Sequence, residues 1–492
     1  MNGAEMMAFT GEVMSSDYVM NLMGRVAAEQ PASNALVARL RDASVGNPTQ
    51  WPFHAVPLPV AVKSAQGSRL VDADGRERID LFLGFGTQSL HGHNPPEVVD
   101  AVRQALGSTV GNGYFNEIEL KLVEMLRDMT GNEAFVFLHS GTEATGAAVR
   151  IARAATGKRL VVKVESATHG THDWGVQSSV ALMHGHPFVP WPKVDEHGVE
   201  SLPFAKGVSP SSPVDLLIVP HLDERAFEMI LARKDEIACV IAEPSNVSFP
   251  FPDKCVPFTK RLSKLCQDEG LLFILDEVQT GFRWGIGGAA VTEGIYADLR
   301  VYGKVLSGLG IPLSAVGGPM TLLDHARTTG VNLADFGQKT TFMSTHMGHH
   351  MALLASHASL SLLQQKGEAF YTRTRSRIAR LRERLAQLRR DEGIPIHAVG
   401  YGDFIGLLMV GESPHEADNA RGLAHRVNPA ASLLLSLSLR ARGFYTYSWP
   451  FLFLGDAYSD DDMARIEEGV VDSLIDMRDG GVVLTTPWGA RL

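Results

Sequence analysis

LLFILDEVQTGFRWGIGG, residues 271 to 288, decides how the rest of the chain is read. Leu271 to Leu275 is an apolar run with the length of one fully buried strand. It stops at Asp276 and Glu277. A carboxylate at the carboxyl end of a buried parallel strand points into the crevice where such sheets bind ligands. Lys304 follows in a Gly- and Ser-bearing segment, with Val301, Val305 and Leu306 as apolar neighbours. A lysine partly removed from water holds its proton less tightly and becomes a usable nucleophile. Together the two residues suggest pyridoxal phosphate chemistry: Lys304 holds the aldehyde as a Schiff base, and Asp276 partners the pyridinium nitrogen.

Upstream, Phe135 to Leu138 reads as a strand, and Thr145 to Ala155 as a helix. Between them stands His139-Ser140-Gly141-Thr142-Glu143-Ala144. A strand, a turn of small residues and a helix N-terminus form an anion site, because free backbone N–H groups and the helix dipole both favour negative charge. Alone, Ser140 would read as an ordinary helix cap. Alongside Lys304, Ser140, Gly141 and Thr142 read as a phosphate cradle.

More strands are expected at Arg159 to Val164, Val214 to Pro220 and Ile237 to Ala242, the last ending at Glu243. A helix over Lys260 to Glu269 precedes the central strand. This alternation is the pattern of an open, mainly parallel sheet in an α/β fold. Arg69 to Leu83 reads as a hairpin turning at Asp72 to Gly75. Tyr18 to Leu40, Tyr371 to Arg390 and Asp460 to Met477 carry helical periodicity.

The chain of 492 residues is long enough for more than one domain. The expected division is an N-terminal segment with part of a small domain (1–96), a large cofactor domain (97–357) and a C-terminal small domain (358–492). The net charge of −10 argues against general nucleic-acid binding. No apolar run approaches a membrane span, and the N-terminal residues lack the pattern of a signal peptide. Cys239, Cys255 and Cys266 have no metal-like spacing and read as packing residues in a reducing cytoplasm. His346, His349 and His350 lie close in sequence, but polar and packing roles near a helix start are the better reading, so no metal is expected.

DEVQTGFR at 276–283, YGK at 302–304 and SGTEA at 140–144 resemble the class III aminotransferases. Within them the chain is most similar to glutamate-1-semialdehyde aminomutase and its relatives. The resemblance runs from about Gly67 to Met351. It implies fold type I of the pyridoxal phosphate enzymes, with a small α+β domain built from both chain ends. It implies that Val278 packs on the pyridine ring, Gln279 reaches the ring hydroxyl, and His169 and Glu243 belong to the cofactor pocket. It implies that Thr341 reaches the phosphate of a neighbouring subunit, so that a homodimer completes each site. Phe85 falls where relatives place a substrate-pocket aromatic. Trp51 stands near the position of a substrate-binding arginine. Thr168 replaces the aromatic that stacks on the ring in relatives. The function implied is amino-group transfer between an amine or amino acid and a carbonyl acceptor. Two alternatives stay open: an aminomutase, or elimination, replacement or carbon–carbon bond formation in specialised metabolism.

Overall fold

The structure is a computed structural model that describes residues 16–43, 60–179 (without 112), 192–203, 206–209, 215–328, 335–447 (without 343, 412 and 425) and 451–485. Trp51 lies outside the described residues. The described residues between Pro96 and Gly367 form one compact unit, and those up to Pro95 form a second with those from Glu368 on.

The larger unit is built on a seven-stranded sheet, preceded in the chain by helix α1 (Glu117–Thr130). Its strands in chain order are β1 (Ala134–Leu138), β2 (Leu160–Val164), β3 (Leu216–Val219), β4 (Ile237–Ala242), β5 (Phe273–Glu277), β6 (Leu299–Tyr302) and β7 (Ser314–Gly318). Their spatial order is β1-β7-β6-β5-β4-β2-β3. Only β7 runs antiparallel to its neighbours. The mainly parallel sheet expected from the strand–helix alternation is therefore present.

Side-chain alternation sorts each strand onto two cores. Val162, Val164, Leu217, Val240, Phe273 and Leu275 face one side. There they meet helix α3 (Arg225–Ala232) through Met229 and Ile230, and helix α4 (Pro252–Glu269) through Leu262 and Cys266. Val161, Ile218, Cys239, Ile241, Ile274 and Val301 face the other side. They meet helix α2 (Gly141–Thr156) through Ala144, Ala147, Ala148 and Ile151. A sheet covered on both faces has uniformly apolar strands, and β4 and β5 are buried at every position.

Helix α4 starts at Pro252, eight positions before the Lys260 start expected from sequence. Pro252 occupies its first turn, where a missing N–H costs nothing. Pro257 lies inside the helix, where burial of Val256, Phe258 and Leu262 offsets one lost backbone bond.

In the second unit, strands from both chain ends share a sheet: Phe444–Tyr445 runs parallel to Glu77–Asp80. The expected hairpin is formed by Arg69–Asp72 and Glu77–Asp80. Buried Asp72 fixes its turn by accepting from Asp74 N (3.1 Å), Arg76 N (2.9 Å) and Arg78 Nε (2.8 Å). The long periodic stretch at Tyr18 to Leu40 is two helices, Asp17–Glu29 and Pro31–Ala43, because Pro31 starts the second. Gly367, with φ 54°, interrupts the helical run His350–Glu392, and the part from Glu368 on belongs to this unit. Among the described residues no helix is long and apolar enough to cross a membrane.

Candidate active site

The carboxyl ends of the neighbouring strands β4, β5 and β6, and of β1 beyond the intervening β7, deliver the chemistry-bearing residues to one edge of the sheet. β5 carries Asp276 and β4 runs directly into Glu243. β6 runs through Gly303 into Lys304, and β1 leads through His139 and Ser140 into α2. The register is close: Leu275 pairs with Ala242, and Asp276 with Val301. Asp276 therefore stands beside Glu243 on one flank, with Lys304 three residues beyond its partner on the other.

Asp276 is 4% exposed. It accepts from Val278 N (3.0 Å), and its other oxygen lies 2.7 Å from His169 Nδ1. His169, Glu243 and Asp276 each bring one atom to within 4.8 Å of the others. A buried carboxylate and a half-buried one this close do not both ionise readily. Burial, reinforced by Asp276, pushes the Glu243 carboxyl up to about 8. The next residue, Glu277, points to the opposite face of β5. It accepts from Ala289 N (2.6 Å), Ala290 N (3.1 Å) and Thr280 Oγ1 (3.1 Å), so it holds the following helix rather than the site.

Lys304 adopts φ 46°, a left-handed conformation costly for a side-chain-bearing residue. That strain sits at the residue read as the nucleophile. The residue keeps some accessible surface, as one at the foot of a cleft does. Its ammonium is desolvated, which, with the Arg283 guanidinium nearby, pushes it down to about 8 against the opposing pull of Asp276 and Glu243. Sequence reasoning missed two residues here. Lys163 is fully buried in β2, donates to Gln177 O (2.7 Å) and is pushed down to about 7 by burial. Arg283 is 1% exposed. A lone lysine in the otherwise apolar LVVKV was the available signal for the first. The second sat unused in the quoted DEVQTGFR.

At the head of α2, Ser140 accepts from Glu143 N (3.2 Å), which caps the helix. Thr142 Oγ1 accepts from Thr171 N (3.2 Å), and His172 Nε2 bonds Thr142 O. His172 in turn stacks on Trp174, with ring centroids 5.3 Å apart. Glycine is required on both sides of this turn. A Cβ on Gly141 would meet Val278 Cγ1 at 3.0 Å, and one on Gly170, at φ +87°, would lie 2.6 Å from Thr142 Cα.

Ser140, Gly141, Thr142, His169, Glu243, Asp276, Val278, Gln279 and Lys304 thus come from strand ends and turns on one edge of one unit. Thr341 does not join them in this chain: its carbonyl accepts from Arg150 Nη1 (3.1 Å), well down α2. Phe85 belongs to the other unit, in an aromatic cluster with Phe82 (5.8 Å), Tyr447 (5.4 Å) and Phe453 (6.1 Å). Thr168 is exposed. Of the histidines at 346–350, the His346 ring lies 6.2 Å from that of His139 and 6.4 Å from that of His349, while His350 Nδ1 accepts from Val110 N (3.2 Å).

The fit to a phosphorylated aromatic aldehyde can be judged from the polar atoms present. Both amide atoms of Gln279 and Nε2 of His169 are buried without a partner among the described residues. Polar groups so placed call for a hydrogen-bond partner, which a bound ligand or water supplies. A desolvated lysine, a charged carboxylate and a helix N-terminus supply the partners of aldehyde, ring nitrogen and phosphate. Fold and site together define an enzyme of the fold type I pyridoxal phosphate class.

Comparison with known proteins narrows this. Residues 52–433 match the family model for class-III aminotransferases. A glutamate-1-semialdehyde 2,1-aminomutase from Thermomicrobium roseum is 30% identical over 428 residues, 86% of this chain and 92% of that protein. One from Anaeromyxobacter dehalogenans is 32% identical over 419 residues, 83% and 88% of the two chains. Among solved structures, an omega-transaminase from Sphaerobacter thermophilus shares the fold with a TM-score of 0.79 at 24% identity, covering 91% of this chain and 98% of that one. The chain belongs to the class-III aminotransferase family.

Proposed function

We propose that this protein transfers an amino group between an amine or amino acid and a carbonyl acceptor, using pyridoxal phosphate held by Lys304. The observation that carries the reading is Lys304 in a strained turn at the carboxyl edge of the sheet, with Asp276 and Glu243 at the neighbouring strand ends. Bound pyridoxal phosphate supplies an aldehyde that captures amines and a protonated ring that accepts electron density. Asp276, oriented by His169 and the Val278 N–H, would partner the protonated ring nitrogen. Ser140, Gly141 and Thr142 would hold the phosphate. Val278 and Gln279 would contact the ring.

Lys304 Nζ, with its proton affinity lowered by burial, is half deprotonated near pH 8. It can therefore take a proton from the substrate α-carbon and return one, as general base and then acid. Phe85 and Trp51 are the candidates for substrate contact.

We further infer a homodimer in the cytoplasm, with Thr341 serving the partner's phosphate site. Leu106, Val110, Tyr114, Phe115 and Leu120 support an interface: all are exposed, Phe115 completely. A contiguous stretch of exposed large apolar residues marks an interaction surface. The three free, buried cysteines suit a reducing compartment.

A second reading, intramolecular aminomutase, is favoured by the names of the relatives that span most of the chain. Product analysis decides between them. Purified protein supplied with pyridoxal phosphate is incubated with amino donors, with and without keto acid or aldehyde acceptors. Amination of an added acceptor supports transfer. Isomerisation of one amino aldehyde without an acceptor supports the mutase.

A further inference from the structure

Behind the Glu243 strand end lies a small cavity of about 10 Å³. Its apolar lining includes Val164, Ala242 and Phe258, and its polar lining includes Glu243, His221 and Ser245. His221 is 5% exposed, and its ring meets Phe249 edge-on (5.5 Å, 85°) and Phe258 likewise (6.0 Å, 89°). These apolar walls favour a neutral imidazole. Burial pushes His221 down to about 4.

The neighbouring thiol selects the tautomer. Cys255 Sγ lies 3.3 Å from Phe249 O, so the S–H donates there. His221 Nε2 lies 3.8 Å from the same sulfur, which is then free to accept the Nε2–H. Nδ1 is left as a bare acceptor with no partner among the described residues. Ser245 is 1% exposed; its hydroxyl faces the Cys255 thiol and has no other partner among the described residues. His221, Ser245 and Glu243 thus line a space of the volume, about 10–15 Å³, that one water requires, and between them carry the two to four partners it needs.

We propose that this cavity binds one water molecule bridging Glu243 to His221 Nδ1, and that His221 is thereby a positioning residue that keeps Glu243 in its carboxylic-acid form beside Asp276. The acid O–H donates to the water, and the water donates to Nδ1. The water's second hydrogen goes to a lone pair of the Ser245 hydroxyl, whose own O–H faces the Cys255 sulfur. No proton leaves the set, so the network is a holder rather than a relay.

The groups facing Glu243 bear this out. On the site side stand Asp276, His169, Lys304, Lys163 and the Thr168 N–H at 3.4 Å. Asp276 already accepts from Val278 N and lies 2.7 Å from His169 Nδ1. On the cavity side, His221 and Cys255 are both neutral and offer nothing that would favour a second anion. A protonated Glu243 leaves Asp276 as the sole carboxylate charge at that point of the site.

This inference rests on the pyridoxal phosphate reading only for what the acid form does. The water site stands on the cavity alone. The test is a high-resolution crystal structure of the holoenzyme, paired with a pH titration of the cofactor's visible absorption in wild type, His221→Phe, His221→Asn and Glu243→Gln. The expected result is an ordered water within about 2.7–3.2 Å of His221 Nδ1 and Ser245 Oγ. A titration step absent in Glu243→Gln should move down by about one pH unit in His221→Phe. It should be restored in His221→Asn, whose amide oxygen replaces Nδ1. A dry cavity, or a titration in folded His221→Phe identical to wild type, overturns the proposal. If His221→Phe does not fold, the wild-type density decides alone. Failure of every amino donor would overturn the functional reading while leaving the water in place, so the two failures are distinct.

Discussion

His169 Nδ1 stands 2.7 Å from a carboxylate oxygen of Asp276, and the two residues are 107 positions apart in sequence. His169 is fully buried and Asp276 nearly so. Burial lowers the proton affinity of His169, and the Asp276 hydrogen bond works against that. The pair therefore orients the carboxylate by a short bond while its other oxygen takes the Val278 N–H. Removing one partner of a buried charged hydrogen bond costs about 1.5–3 kcal/mol. His169→Ala should weaken pyridoxal phosphate binding roughly 10- to 100-fold, read from a titration of cofactor absorbance. Unaltered affinity would show that Asp276 does not depend on His169.

The phosphate end is testable apart from the ring end. Gly170 has φ +87° and a virtual Cβ 2.6 Å from Thr142 Cα, so Gly170→Ala must displace the first turn of α2. Overpacking of this kind costs about 1–3 kcal/mol. Pyridoxal phosphate should bind about tenfold less tightly or worse, while pyridoxal, which lacks the phosphate, should lose much less. Equal losses for both ligands would place the cradle elsewhere.

Glu277 provides the contrasting case. It shares the DEVQ motif with Asp276, yet its three acceptor contacts go to Thr280 and the helix starting at Gly288. Glu277→Ala leaves buried N–H groups unpaired and should destabilise the protein by roughly 3 kcal/mol. Denaturant unfolding should register the loss, with the folded fraction still binding cofactor. A variant as stable as wild type would contradict this assignment.

Stability should also carry the signature of Glu243. Its folded pKa of about 8 lies above the ordinary 4.5. The folded state therefore binds a proton that the unfolded state has released, and stability from this group is full below about 4.5 and gone by about 8. Lys163 acts oppositely: with a folded pKa of about 7 against an ordinary 10.5, its contribution rises with pH between those values. Glu243→Gln keeps the neutral shape. Across pH 5 to 8 the urea midpoint of wild type should fall relative to that variant. Parallel curves would mean that Glu243 is ionised in the folded protein.

Parts of this architecture are legible in the sequence alone. LLFILDE reads as a buried strand because it is continuous and apolar, and it lies in β5 with Asp276 at its end. FVFL-HSGTEA reads as strand, turn and helix because the small residues break one period and begin another, and β1 and α2 lie there. Other features depend on tertiary placement. The Pro252 start of α4 was hidden because prolines read as helix breakers. His169 carried no local sign that its partner would be Asp276. The buried cationic groups Lys163 and Arg283 look like surface residues until both sheet faces are covered. Thr341 sits near Arg150 in this chain, and a phosphate role for it requires a second subunit.

The central claim is that Lys304 anchors pyridoxal phosphate, and the most direct measurement is the visible absorption spectrum of purified protein, wild type beside Lys304→Ala, with the cofactor supplied to both. The account predicts a lysine-linked cofactor band in wild type that survives gel filtration. In Lys304→Ala it predicts loss of that band and a fall in turnover of at least about 10²-fold, the scale of a lost general base. The same band in Lys304→Ala, or a wild type that binds no pyridoxal phosphate, would contradict it.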